Sequence, residues 1–177
     1  MSAGSTSGPA RFHDAMMRLT ILLATVLLSA AAFGADTPPI PKEPSVTTHT
    51  ATGPFDVKMA PQTMSDVAEH SGLGRMSIDK QFRGALEAAS TGEMLGWRNA
   101  SGSGGYVAME LVRGTLDGRA GSFMLQHSST MTRGEPSQSI AVVPDSGTDA
   151  LAGLAGRMVV DIAPGGAHSY RFEYTLP

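Results

Sequence analysis

"GYVAMELVRGTLDGRAGSFMLQHSSTM", Gly105 to Met131, holds two apolar runs joined by Asp117-Gly118. A type I′ hairpin turn needs positive φ at both central positions, and Asp-Gly supplies it. With those two residues as the loop, Leu116 faces Arg119, Glu110 faces Leu125 and Ala108 faces His127. Opposite residues share a face, so Tyr106, Ala108, Glu110 and Val112 line up with Phe123, Leu125, His127 and Ser129. Glu110 and His127 become diagonal neighbours, within reach of two long side chains. Sliding by two, with Gly118-Arg119 as the loop, places them directly opposite. A one-residue slip would separate them.

A histidine beside two serines raises the question of a catalytic base. Ser128 follows His127 directly, so on a strand its side chain points to the other face. Ser129 shares the face, but successive same-face side chains stand roughly 7 Å apart, beyond hydrogen-bond reach. Neither serine sits in a nucleophile elbow. What remains is a polar pair on an apolar face. An ionised Glu110 there needs a partner, with His127 nearest and Arg119 and His168 as further candidates. The pair either fixes strand register or orients a ligand in a cavity; otherwise Glu110 lies outside.

Outward from the hairpin, alternation continues. "GRMSIDKQF" (Gly74–Phe82) sets Met76, Ile78 and Phe82 against Arg75, Ser77, Asp79 and Gln81. "SQSIAVV" (Ser137–Val143), "RMVVDI" (Arg157–Ile162) and "HSYRFEYTL" (His168–Leu176) follow, separated by Pro144-Asp145-Ser146-Gly147 and Pro164-Gly165-Gly166. "VAEHSGLG" and "DALAGLAG" have room for a short helical turn each. Closely spaced strands without helical crossovers imply an all-β fold, a small closed antiparallel barrel.

The 177 residues include 21 Gly, 11 Pro and no Cys, with 16% charged and a net charge of −3. Absence of Cys excludes disulfides and thiol chemistry. Basic residues occur singly, which argues against a nucleic-acid partner. Five His without close pairing argue against a metal, and no cofactor motif is present: "SGSGGY" lacks the strand-to-helix context of a phosphate cradle. The eight methionines from Met59 onward are expected to fill core or line an adaptable pocket. Trp97 is expected in the core rather than at a rim.

"MMRLTILLATVLLSAAAFGAD" (Met16–Asp36) reads as a signal peptide near residues 16–35, with apolar Leu19–Leu28 before small residues. Cleavage would place the protein in the periplasm or outside the cell; an uncleaved leader would make it a membrane anchor. Translation starts at Met1, Met16 or Met17. Pro38, Pro39, Pro41 and Pro44 then hold a linker extended. The reading is 1–35 extension and leader, 36–52 Pro-rich linker and 53–177 barrel.

From about Lys80 to Leu176 the chain resembles a bacterial family of unknown function, similar to allene oxide cyclase in its eight-stranded antiparallel barrel. "RMSIDKQFRG", "GEML", the hairpin, "VVPDSGTDALAGLAGRM" and "HSYRFEYTL" carry the resemblance. It implies barrel closure and an interior cavity. Glu110, Arg119, His127, Ser146, Gly147, Thr148, His168 and Tyr170 match the pattern. Arg83 and Ala85 stand where the family often has His and Asp, and Ser129 and Asp149 where Gly is common.

The functional expectation is an exported barrel, more a binding protein than an enzyme, holding a small apolar or amphipathic ligand. Candidate interior residues are Tyr106, Glu110, Arg119, Phe123, His127, His168 and Tyr170. A pocket of at least about 300 Å³ is what that requires. The alternatives are a cyclase- or isomerase-like enzyme using Glu110 and His127, and a structural or interaction protein without a cavity. Val107, Met109, Leu111 and Met124 make the hairpin's second face too apolar for water. A second subunit, forming a homo-oligomer, or the segment Val67–Leu73 is expected to cover it.

Overall fold

The computed structural model describes residues 47–177. The leader, and the linker as far as residue 46, lie outside the described residues. Eight strands run in chain order: β1 (Thr48–Gln62), β2 (Gly74–Phe82), β3 (Leu86–Arg98), β4 (Gly104–Leu116), β5 (Arg119–Thr132), β6 (Glu135–Val142), β7 (Ala155–Ile162) and β8 (His168–Thr175). Each pairs antiparallel with the next, and β8 returns to β1, closing the barrel. A 3-10 turn, η1 (Asp149–Leu151), lies between β6 and β7.

The central hairpin has the register that its turn chemistry dictates. Asp117 and Gly118 have φ of 46° and 79°, the positive pair a type I′ turn requires. Leu116 pairs with Arg119, Glu110 with Leu125 and Ala108 with His127. Because side chains alternate strictly, that register sends Ala108, Glu110, Val112, Phe123, Leu125 and His127 inward, and all six are buried.

Two strands carry little sequence signal. β3 turns Leu86, Ala88 and Ser90 inward, and the small Ala88 and Ser90 blunt the hydrophobic alternation. β1 starts at Thr48, five residues before the boundary expected at Gly53. The linker's run of prolines ends at Pro44, and from Thr48 to Gly53 no proline interrupts the ladder with β8. His49 pairs with Tyr174, and Ala51, fully buried, with Phe172.

The barrel's two ends are filled differently. At the β2–β3 and β4–β5 turns the interior is solid: Phe123 and Phe172 stack at 5.8 Å, and Leu116, Leu151 and Leu154 close the end. Each such side chain contributes roughly 1.5–3 kcal/mol by leaving water. The loop leading into η1 completes β5 where β6 stops. Ser146 Oγ accepts from Met124 N–H and Thr148 Oγ1 from Ser122 N–H, each at 3.0 Å. Asp149 has φ 53°, left-handed backbone that favours glycine. Tyr170 hydroxyl accepts from Leu86 N–H at 2.9 Å and donates to the Arg83 carbonyl at 3.0 Å, tying β8 to the β2–β3 turn.

On the outside, the turn-forming segment between β1 and β2 walls a groove of about 620 Å³ together with Leu95, Val107 and Met109. It does not cover that face. Val107 remains 55% and Met109 44% exposed, and Val67 itself is 99% exposed. Trp97, 48% exposed, is a surface residue and not a core one, because it falls on the outward row of β3.

Candidate functional site

Beyond the packed half, the interior carries a polar layer built by four strands. Glu110 from β4 is fully buried. Its Oε2 accepts a hydrogen bond from Lys80 Nζ on β2 at 2.7 Å, and its Oε1 accepts from the Ser90 hydroxyl on β3. His127 Nε2 on β5 lies 2.9 Å from the same Oε2. That approach is electrostatic, since Nε2 is out of line for a hydrogen bond and has no other partner. Gly92, paired with Glu110, lets β3 approach: a Cβ there would stand 2.3 Å from the Met109 carbonyl oxygen.

Burial by itself would raise the Glu110 carboxyl. His127, Lys80 and Ser90 together outweigh it and hold the pKa down at about 2. Lys80 meanwhile has Phe55 and Phe82 beneath its ammonium, 5.4 and 5.6 Å from the ring centroids, a cation–π setting for a cation taken out of water.

A cavity of about 140 Å³ opens on the mouth side of this layer. Lys80 and His127 form its polar floor, with Tyr106, Gln138 and His168 on the wall. Val57, Ile78 and Val160 supply apolar wall, and Met59 and Ile162, 45% and 65% exposed, form the rim. Tyr106 hydroxyl accepts from Gln138 Nε2 at 2.8 Å, leaving its own proton to donate. At about 140 Å³ the expected barrel pocket of at least about 300 Å³ is not met, and the cavity has room only for a ligand smaller than the drug-sized one that threshold implies. Aromatic and aliphatic side chains occupy the other half of the barrel, and only the mouth is open.

Of the seven residues expected inside, Tyr106, His127 and His168 line this cavity, and Glu110 sits directly behind its floor. Phe123 is inward but belongs to the packed end. Tyr170 is buried, with its hydroxyl spent on the backbone of the β2–β3 turn. Arg119 is a correction: it is exposed, because it follows the hairpin turn at the closed end. Neither Arg119 nor His168 pairs with Glu110. Lys80 does. Arg83 is also outside the cavity, paired with Asp56 on the surface, and Ala85 lies in the same β2–β3 turn.

Sequence reasoning missed Lys80 and Ser90, although one signal was available. In "GRMSIDKQF", Lys80 has the same parity as Met76, Ile78 and Phe82, so the alternation that buries Ile78 and Phe82 buries Lys80 too. Ser90 has the parity of Leu86 and Ala88. Among the described residues no group of three or more His, Asp or Glu is placed to hold a metal ion.

The arrangement suits holding more than proton transfer. A general acid or base works best with a pKa near the operating pH, whereas Glu110 is fixed as a carboxylate with both oxygens engaged. The cavity sets an apolar rim above a donor-bearing floor.

Among curated proteins none matches the chain. A crystal structure of a protein with unknown function from the DUF3224 family, from Shewanella oneidensis MR-1, is similar at a TM-score of 0.68 and 46% sequence identity, covering 74% of this chain and 98% of that one. The model of DUF3224, a family of proteins of unknown function, matches residues 51–174. The chain, an eight-stranded closed barrel with a buried Lys–Glu pair, belongs to the DUF3224 family.

Proposed function

We propose that this protein is an exported, non-enzymatic barrel that binds a small amphipathic molecule, polar end inward, in the mouth cavity. The observation that carries the binding reading is the composition of the cavity: apolar walls and rim over a floor made by Lys80 and His127. Cavities of about 150 Å³ bind molecules the size of benzene, so the inserted part is a short chain or a single ring. A longer tail would lie across Met59 and Ile162. Export rests on the leader pattern from Met16 to Asp36.

Calorimetry of the full chain with hexanoate, hexanol and hexylamine tests the binding reading. At least one of the three binds with one-to-one stoichiometry. Val160→Trp, which puts an indole into the cavity from its wall, abolishes that binding. Failure of all three to bind, or binding unaffected by Val160→Trp, overturns it.

A further inference from the structure

Resting on the binding reading, the geometry points to a more specific occupant: we infer that the cavity takes a monocarboxylate, whose binding places a proton on His127. The first ground is the hydrogen-bonding inventory. Lys80 spends one of its three N–H groups on Glu110 and has no other acceptor among the described residues. Tyr106 keeps a hydroxyl proton, and the His127 and His168 rings face the same space. Against these donors, the wall offers the Gln138 amide oxygen and little else that accepts. A ligand that satisfies this cavity brings acceptors, and a carboxylate brings the most in the least volume.

The second ground is His127 Nε2. It belongs to a side chain 5% exposed, and it has no in-line hydrogen bond. It faces Glu110 Oε2 across 2.9 Å, so a proton on the ring has a carboxylate to point at.

Charge balance then requires the proton. Lys80 and Glu110 already cancel one another. A second carboxylate entering beside Glu110 adds an uncompensated negative charge in a medium of low dielectric. His127 stands between the cavity and Glu110 Oε2, so an imidazolium there faces one carboxylate on each side. The other groups packed around His127 do not offer this. Lys80 on β2 is committed to Glu110. Tyr106 on β4 is hydrogen-bonded to Gln138. His168 on β8 rests against Phe55, centroids 5.1 Å apart, and does not approach Glu110. β1, β6 and β7 present Phe55, Val57, Gln138, Ile140, Val160 and Ile162, and β3 presents Ser90 and Met94, none of which titrates.

Hexanoate titrations of the full chain in buffers of differing ionisation enthalpy test the inference. Expected is net uptake of a proton on binding, with affinity falling about tenfold per pH unit on the alkaline side. His127→Gln removes both the uptake and the pH dependence, whereas His168→Gln keeps them; thermal melts establish that each variant is folded. Hexanol binding without proton uptake, where hexanoate does not bind, overturns the carboxylate inference and leaves the binding reading standing. Hexanoate binding without uptake, or with uptake retained in His127→Gln, also overturns it. If none of the three hexyl compounds binds, both fall together.

Discussion

Lys80 Nζ lies 2.7 Å from Glu110 Oε2 inside the barrel, the lysine 7% exposed and the glutamate not at all. The charges sit on β2 and β4, which do not pair with each other, so the contact spans the interior across β3. Removing one partner strands the other. Glu110→Leu leaves a buried ammonium and Lys80→Met leaves a buried carboxylate, and each is expected to cost about 3–5 kcal/mol. The double variant Lys80→Met with Glu110→Leu recovers most of that loss. Denaturant melts of the three variants check this. Pairing Glu110→Leu with His127→Phe instead recovers little, because the ammonium of Lys80 remains.

Acid sensitivity follows from the same carboxylate. Its folded pKa, about 2, lies below the ordinary 4.5. A depressed carboxylate pKa stabilises the fold above the unfolded value, and that stability is lost as pH falls toward the folded value. The window is therefore pH 4.5 down to 2, and the contribution is on the order of 3 kcal/mol. Glu110→Gln is less stable at neutral pH and loses less stability across that window. Urea midpoints at a series of pH values measure it.

How much of this was legible in the sequence depended on side-chain size and turn chemistry. The hairpin register was readable because Asp117-Gly118 favours a type I′ turn, and a one-residue slip would expose Phe123 and Leu125. β3 was not, because Ala88 and Ser90 are too small to mark an inward row. Lys80 was hidden by its own chemistry: a lysine in an amphipathic strand reads as solvated unless its parity is followed. The 140 Å³ of the cavity was beyond any sequence reading, since it depends on how Phe55, Phe82 and Phe172 share the interior. Eight-strand closure came from family resemblance, not from strand counting.

The uncovered outer face predicts self-association. From Val107 to Leu111 the outward residues of β4 (Val107, Met109 and Leu111) carry no charge, nor do Met124, Gln126 and Ser128 beside them on β5, and Arg113 lies beyond this stretch. A face without net charge does not repel its own copy, and obligate homodimer interfaces are apolar in this way. Sedimentation velocity is expected to show a dimer that Val107→Lys dissociates and Val159→Lys, on the outside of β7, does not. A monomer throughout, with Val107 and Met109 open to water, contradicts this.

Export predicts a processed terminus. If the leader is cleaved, the mature chain is expected to start between Phe33 and Asp36, and N-terminal sequencing of envelope fractions reads it directly. Soluble cytoplasmic protein that keeps Met1 or Met17 contradicts a cleaved leader.

The most direct test of the central claim uses the methionines themselves as reporters. Met59 and Met94 line the barrel mouth, whereas Met64 and Met109 line the outer groove. Methionine-methyl NMR spectra of the full chain, recorded while hexanoate is added, separate the two places. If the cavity above Lys80 and His127 is the binding site, the Met59 and Met94 methyl signals shift with saturation and those of Met64 and Met109 stay where they are. Shifts confined to Met64 and Met109 would place binding outside the barrel and contradict the account.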